Sequence, residues 1–223
     1  MSEKENHILA VYTNKDKELE DAVHFVKIGL DNNEASLLII NEQGTSNNEV
    51  QERMHRKYNM TYDEIEKLQS KGDLSIVTSS EWYLSNHLSE ASGVGGGGGG
   101  NNSIQNKLMV DKEKVRQSWI NLVNNAVSRG KIGARVFAST SLFFRLGLAK
   151  EFLDYEFLLP VNFGFPIVVI CAYQASDLSS YTSSEEIRKL SLHHSYIQIG
   201  NKYDVIENPP TNGHIAILYD NGH

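Results

Sequence analysis

The sequence lacks the features that mark secreted, membrane-spanning and nucleic-acid-binding proteins. It contains a single cysteine in 223 residues, so no intrachain disulfide forms and a reducing compartment is expected. Its formal net charge of -7 and the absence of a basic run argue against binding to nucleic acid or to an anionic membrane. The N-terminus has no apolar signal-peptide core, and the longest apolar stretch, around residues 163–173, is too short to cross a bilayer. These absences predict a cytoplasmic protein.

A phosphate-binding loop is also missing from the place where the order of elements suggests one. An apolar run at residues 8–12 leads through a polar turn into a helical pattern, as in a P-loop protein. The turn reads TNKDKE over residues 13–18, with no glycine and with acidic side chains where a phosphate would bind. We therefore expect no nucleotide and no other cofactor in this protein.

Glycine is concentrated instead in residues 89–103, SEASGVGGGGGGNNS. A segment with so little to bury does not recover the entropy lost on ordering, so we predict a flexible surface insertion. A phosphate loop is the alternative, but its lysine and the strand that should run directly into it are both missing. Strand and helix patterns resume afterwards, so residues 1–223 are predicted to form a single domain with this insertion.

Apolar, β-branched runs separated by helical patterns predict an α/β fold. The predicted strands are residues 8–12, 35–41, 73–78, 134–138 and 166–173, with two shorter strands at 196–199 and 214–219. Apolar stripes at residues 19–30 and 115–127 predict two helices, the second capped by Asp111 and ended by Gly130. Strands alternating with helices favour a mostly parallel, twisted sheet with helices on both faces.

The carboxyl ends of these strands form the predicted ligand site, because ligands of open parallel sheets bind outside those ends. The side chains delivered there include Tyr12, Glu42, Trp82, Thr140 and Tyr173. They are rich in aromatic and hydroxyl groups and poor in positive charge. This composition favours a small, partly apolar organic ligand over a triphosphate. A purely structural role at a strand end is the alternative for each residue.

Glu156 completes the predicted ligand-binding set. It follows an apolar stripe and precedes the apolar residues 157–159, so its carboxylate is expected to be at least partly buried. A buried carboxylate needs a partner, for which Arg135, Arg145 and a ligand group are the candidates. A structural salt bridge and a contact with ligand are equal alternatives for this residue.

The histidines and the cysteine carry weaker functional signals. His7 begins the first strand, at the edge opposite the predicted rim, where a bond to the backbone is favoured over a role at the ligand. His193 and His194 are adjacent, point in different directions and have no third ligand at helical spacing, so we expect no metal site. Cys171 is expected to be a buried, unreactive residue, since a nucleophile would need a base beside it. No catalytic residue is predicted.

Several motifs, taken in their order along the chain, resemble one known family. They are HILAVY from residue 7, FVKIGLDNNEASLLIINE at 25–42, GARVFAST at 133–140, EFLDYEFLLP at 151–160, VVICAYQ at 168–174 and LHHSYIQIG at 192–200. Together with Trp119, these motifs resemble the MEDS domain, a sensory domain named for methanogens, methylotrophs and the dichloromethane-responsive regulator DcmR. The resemblance covers nearly the whole chain except the glycine-rich insertion.

This resemblance implies a three-layer sandwich like that of RecA and KaiC-type ATPases, without the phosphate loop. It implies a bacterial or archaeal, non-enzymatic signalling module that binds a small, hydrocarbon-derived organic ligand. Members are usually attached to kinases or DNA-binding domains, and no such motif is apparent here, so output through a partner protein or a homo-oligomer is expected. The alternatives are a divergent ATPase, a hydrolase that uses Cys171 or a rim serine, and a RecA- or KaiC-like assembly partner.

Overall fold

The computed structural model describes residues 7–88, 106–161, 163–199 and 206–207. The strands in these residues are β1 (His7–Tyr12), β2 (Ala35–Ile40), β3 (Leu74–Thr78), β4 (Leu84–Leu88), β5 (Asn106–Val110), β6 (Ala134–Ser139), β7 (Ile167–Gln174), β8 (Tyr196–Ile199) and β9 (Ile206–Glu207). The helices are α1 (Lys15–Asp31), α2 (Asn47–Tyr58), α3 (Tyr62–Ser70), α4 (Ser79–Tyr83), α5 (Lys112–Ser128), α6 (Ser141–Arg145), α7 (Ala149–Glu156), α8 (Ala175–Tyr181) and α9 (Ser184–Leu192).

The main sheet has the strand order β3-β2-β6-β7-β1-β8-β9. All pairs from β3 to β8 are parallel, and β9 pairs antiparallel with β8. The strands β2 and β3 come before residues 89–105, whereas β6 comes after them, so both parts of the chain contribute to one sheet. The predicted mostly parallel sheet is confirmed.

Helices cover both faces of the sheet, which gives three layers. On the first face, the helices α1, α2 and α3 bury Leu19, Val23, Val26, Val50, Met54 and Ile65. On the second face, the helices α5 to α9 bury Val115, Trp119, Phe143, Phe152, Leu178 and Leu190. Side chains of a strand alternate between the layers, so Val136 joins the second face and Phe137 the first. Burial on both sides explains why the strands read as continuous apolar runs, and the predicted helical layers are confirmed.

Local sequence signals set the ends of the long helix α5. The Asp111 side chain accepts a hydrogen bond from the amide of Lys114 at 2.9 Å, which caps the first turn. Beyond the last turn, Gly130 has a φ of 79°, a left-handed conformation that costs glycine little because it has no Cβ. Both predicted ends of this helix are confirmed.

A two-stranded hairpin, formed by β4 and β5, was not predicted from the sequence. Its strands pair antiparallel, with Leu84 opposite Val110, on either side of residues 89–105. Their sequences, LSNHL and NKLMV, contain few β-branched or aromatic residues, so local propensity did not reveal them. The predicted insertion at 89–103 and the predicted strand at 214–219 lie outside the described residues.

Within the described part of the chain, no helix combines the length and the apolar character that a membrane span requires. The expected cytoplasmic location stays a prediction.

Candidate functional site

A recess opens at the carboxyl ends of β2 and β6, beside the first turns of α1. Its polar lining includes Lys15, Glu18, Asn41, Ser139 and Ser141, and its apolar lining includes Leu19, Ala22 and Phe137. The cavity volume of this recess is ≈ 30 Å³, so this rim recess fits a molecule of few atoms.

Glu18 places a carboxyl group in the wall of the rim recess. Only 8% of the residue is exposed, and the Gln174 side-chain amide donates a hydrogen bond to its Oε2. Burial raises the pKa of Glu18 above its ordinary value, although hydrogen bonds from Ser139 and Gln174 oppose part of that rise. A carboxyl group in this position disfavours an anionic guest.

The first turn of α1 is capped by a side chain. The Asn14 side chain accepts hydrogen bonds from the amides of Asp16 at 2.7 Å and Lys17 at 3.3 Å. In a P-loop, amides at the start of the helix bind phosphate instead. In this protein the Asn14 side chain occupies two of these amides, those of Asp16 and Lys17.

Ser141 contributes an unused polar group to the same recess. The residue is 2% exposed, and its Oγ has no hydrogen-bond partner among the residues that the structure describes. Leaving a buried hydroxyl unsatisfied costs roughly 1–3 kcal/mol. This cost is recovered if a bound molecule or a water forms the missing hydrogen bond.

The structure separates the two tyrosines that were predicted to contact one ligand. Val11, and not Tyr12, lies opposite Tyr173 in the parallel pairing of β1 with β7. Successive side chains of a strand point to opposite faces. Tyr12 therefore packs in the first layer and Tyr173 in the second, where it is fully buried.

The other rim residues are also dispersed. Glu42 is exposed after the end of β2, and Trp82 packs edge-on against Trp119 with ring centroids 5.2 Å apart. Thr140 is buried and donates its hydroxyl to the Ala172 carbonyl at 2.8 Å, which links β6 to β7. The recess lining contains none of the six predicted contact residues; their contact with a ligand stays a prediction.

Glu156, at the end of α7, is fully buried. The prediction that Arg135 or Arg145 pairs with it is wrong. Arg135 donates to Glu34 at 2.6 Å and lies over the ring of Phe25 on the first face of the sheet. Alternation along β6 directs Arg135 away from the second face, on which α7 packs. Arg145, the other candidate, is exposed.

Glu156 instead belongs to a buried cluster with His7, Cys171 and His194, which we call the core cluster. Its Oε2 lies 3.9 Å from His7 Nε2 and 3.6 Å from His194 Nε2. Cys171 Sγ lies 3.5 Å from His7 Nε2 and 3.9 Å from Glu156 Oε1. The four side chains come from β1, α7, β7 and the segment between α9 and β8.

Both imidazole rings of the core cluster are held by the backbone. His7 Nδ1 contacts the Pro160 carbonyl oxygen at 3.2 Å, and His194 Nδ1 contacts the Leu190 carbonyl oxygen at 2.7 Å. A carbonyl oxygen only accepts, so each Nδ1 carries the hydrogen and donates it. Each neutral ring therefore directs the lone pair of its Nε2 into the cluster.

Burial makes all four members of the core cluster favour their neutral forms. It lowers the pKa of His7 to about 4 and that of His194 well below its ordinary value. It raises the pKa of Glu156 to about 7 and that of the Cys171 thiol well above its ordinary range. Cys171 and His7 have the separation of a nucleophile and its base, but a buried thiol without thiolate character is not an activated nucleophile.

Sequence reasoning considered these four residues but did not place them together. Cys171 and His7 are 164 positions apart, and Cys171 and Glu156 are 15 apart. Such separations match no metal or catalytic motif. The available signal concerned Glu156 and Cys171, each of which lies within an apolar stretch.

Residues 6–95 match the family model described as MEDS: MEthanogen/methylotroph, DcmR Sensory domain. The predicted resemblance is confirmed over these residues. No curated protein matches the chain. The matched model is that of a sensory domain, which favours a sensory or signalling role.

The MEDS match includes some residues of each site and not others. It includes the whole of α1 and β2, with Glu18 and Asn41 of the rim recess, and it includes His7 of the core cluster. Phe137, Ser139 and Ser141 of the rim recess follow the matched residues, as do Glu156, Cys171 and His194 of the core cluster. Both sites are therefore completed by elements outside the matched MEDS span.

Proposed function

We propose that this protein is a non-enzymatic sensory module that binds a small, weakly polar organic molecule in the rim recess. The observation that carries this proposal is the rim recess itself, whose lining includes Ser141, a buried residue with an unpaired Oγ. A ligand with one donor or acceptor would satisfy this hydroxyl and so recover its desolvation cost. The match to a sensory family supports a signalling purpose for such binding.

The lining of the recess supports a particular class of ligand. Leu19, Ala22 and Phe137 provide an apolar side, whereas Ser141 and Asn41 provide polar groups. The small volume favours a guest of few non-hydrogen atoms, such as a one- to three-carbon hydrocarbon derivative. A nucleotide is disfavoured, because the buried Glu18 carboxyl and the Asn14 cap occupy the place of its phosphates.

Binding is tested by titrating the isotope-labelled protein with one- to three-carbon alcohols, amines and halogenated alkanes and recording amide chemical shifts. We expect at least one compound to shift residues around the recess. Ser141→Ala should weaken the binding of a hydrogen-bonding compound about two- to tenfold, because one hydrogen bond is lost. The same change should slightly stabilise the free protein, since it removes an unsatisfied hydroxyl.

Ser128→Ala is the matched control, because Ser128 is exposed on α5 and bonds the Asn125 carbonyl oxygen locally. It should leave binding unchanged. Equal affinity of the wild-type protein and Ser141→Ala for every compound would contradict the proposal. Magnesium-dependent hydrolysis of ATP would favour the divergent ATPase instead.

Output through a partner protein or through self-association is part of the same proposal. Light scattering at several protein concentrations, with and without a bound compound, separates the two routes. A ligand-dependent change in mass supports a homo-oligomer, and an unchanged mass assigns the output to a partner protein.

A further inference from the structure

We propose that the core cluster binds one divalent transition-metal ion, with Zn²⁺ as the ion that its donor set favours. One donor atom from each of His7, Glu156, Cys171 and His194 lies within 4.8 Å of all the others. This proposal replaces the expectation of no metal, which had considered His193 and His194 as a pair. It is independent of ligand binding in the rim recess.

The separations between the donor atoms are those of a ligand shell. Tetrahedral Zn²⁺ with ordinary bond lengths to nitrogen, oxygen and sulfur places its donor atoms about 3.3–3.6 Å apart. The distance from Cys171 Sγ to His7 Nε2 is 3.5 Å, and that from His194 Nε2 to Glu156 Oε2 is 3.6 Å. The distance from His7 Nε2 to Glu156 Oε2 is 3.9 Å. All four donor atoms lie within 4.8 Å of one another, so a bound ion would draw the widest pair together by up to about 1.2 Å.

The polar atoms of the core cluster converge, but not all of them form hydrogen bonds with one another. Glu156 Oε2 and His194 Nε2 are buried and have no hydrogen-bond partner among the described residues. Buried polar groups are normally satisfied, so a convergent unsatisfied pair indicates a missing partner. One ion placed between these atoms satisfies both of them.

The surroundings of the histidines are those that a metal site requires. Metal-binding histidines generally donate their second ring N–H to a carbonyl or carboxylate, which fixes the tautomer and the orientation of the ring. Pro160 and Leu190 provide these acceptors for His7 and His194. Both Nε2 lone pairs are thus available before an ion binds.

Charge balance favours a divalent ion in this buried position. When the ion binds, Cys171 coordinates as a thiolate and Glu156 as a carboxylate, and any protons they carried leave to solvent. Two negative ligands and two neutral imidazoles neutralise a charge of +2. A neutral unit avoids the large cost of an isolated buried charge.

The donor types identify the class of ion and the kind of site. Imidazole, thiolate and carboxylate together are ligands of Zn²⁺, whereas Ca²⁺ and Mg²⁺ prefer oxygen ligands alone. Four protein ligands leave no open position for substrate, which indicates a structural or metal-sensing role. The ion would link β1, β7, α7 and the segment before β8, so its binding should stabilise the domain.

The test uses the full chain, stripped with a chelator and titrated with Zn²⁺. Native mass spectrometry should show one ion per chain. The unfolding temperature should rise by roughly 8–16 °C when free Zn²⁺ is held at about 1,000 times the dissociation constant. Titration with Co²⁺ should produce a thiolate-to-metal charge-transfer band and intense four-coordinate d–d bands.

Two substitutions assign the binding to the core cluster. Cys171→Ser should abolish the charge-transfer band. His194→Asn should abolish tight binding, while its side-chain amide keeps a donor near the Leu190 carbonyl oxygen. His193→Asn is the matched control, since this neighbour is outside the cluster with its ring 5.5 Å from that of Phe157, and it should bind normally.

Circular dichroism identifies any variant that does not fold, and the wild-type Co²⁺ spectrum provides a test that needs no variant. The proposal is overturned if the folded wild-type protein shows no thiolate-to-cobalt band. It is also overturned if folded Cys171→Ser and His194→Asn bind Zn²⁺ as tightly as His193→Asn, because the ion would then occupy another site.

Discussion

The rim recess and the core cluster differ in the way they satisfy their polar groups. The recess is open to solvent, and its buried carboxyl, Glu18, has Gln174 as a hydrogen-bond partner. The core cluster is closed, and its carboxyl, Glu156, has no exposed surface and an unsatisfied Oε2. The two sites lie against different helical layers of the same sheet.

This difference indicates two kinds of guest. A molecule that must enter and leave needs an accessible site with few fixed polar contacts. A group enclosed by four strongly oriented side chains is suited to a resident ion, because release would require the core to open. On the two proposals above, the exchangeable ligand belongs to the rim recess and the resident ion to the core cluster.

Phe152→Ala should have the largest effect, because it removes aromatic packing from the helix that carries Glu156. The Phe152 ring is fully buried and stacks on Phe143 with centroids 4.0 Å apart, in the helix that carries Glu156. Truncating such a ring should lower the free energy of unfolding by about 3–5 kcal/mol. Urea denaturation measures the loss.

Leu158→Ala serves as its control, because Leu158 is 67% exposed just after the same helix. It should change the free energy of unfolding by less than about 0.5 kcal/mol. A loss below about 1 kcal/mol in Phe152→Ala would mean that α7 is not held by this aromatic packing.

Tyr155→Phe tests the hydrogen bond that orients α7. Trp119 Nε1 donates to the Tyr155 hydroxyl at 2.8 Å, and both residues are buried. The substitution leaves the indole N–H without its acceptor and should lower the free energy of unfolding by about 1–3 kcal/mol. Thermal and urea denaturation provide the measurement.

Tyr181→Phe is the control, since Tyr181 is 55% exposed, and it should have little effect. In a Trp119→Phe background the cost of Tyr155→Phe should shrink, because the donor is already absent. An unchanged cost in that background would assign the effect to packing and not to the hydrogen bond.

Glu18→Gln should have the smallest effect, and it tests the ionisation of the carboxyl group in the rim recess. Burial raises the folded-state pKa of Glu18 above 4.5, so the folded protein resists ionisation of this group. The protonated Glu18 therefore makes its full contribution to stability below pH 4.5. This contribution decreases as the pH rises from 4.5 to the raised pKa of the folded state. Glu18→Gln should remove this decline and be the more stable form at neutral pH.

Urea denaturation of both proteins across this pH range measures the difference in slope. The nearby groups Lys15 and Asp177, which also act on Glu18, are present in both proteins and cancel in the comparison. A parallel pH dependence of the wild-type protein and Glu18→Gln would show that Glu18 ionises as freely in the folded state as in the unfolded chain.

The elements of the fold were largely predictable because their signals are local. The predicted strand at 134–138 is β6, Ala134–Ser139, and the predicted strand at 166–173 is β7, Ile167–Gln174. Asp111 marked the start of α5 by itself. The hairpin of β4 and β5 was missed because its stability depends on pairing and not on strongly β-forming residues.

The sites were less predictable because they depend on register and on long-range contacts. Tyr12 and Tyr173 end neighbouring strands, but a difference of one position in register directs them to opposite faces. Arg135 was a reasonable partner for Glu156 until alternation along β6 placed it on the other side of the sheet. Ser141 was not among the predicted site residues, because only the fold shows that its hydroxyl is unpaired.

The sequence alone determined that this chain forms a parallel α/β sheet without a phosphate cradle, because hydrophobic period, helix caps and the acidic turn at residues 13–18 act over a few neighbouring residues. Only the tertiary structure decided that His7, Glu156, Cys171 and His194 meet. The strand order β7-β1-β8 brings distant parts of the chain side by side, and the packing of α7 then encloses their donor atoms. No local pattern encodes that convergence, because it depends on strand order and helix packing at once.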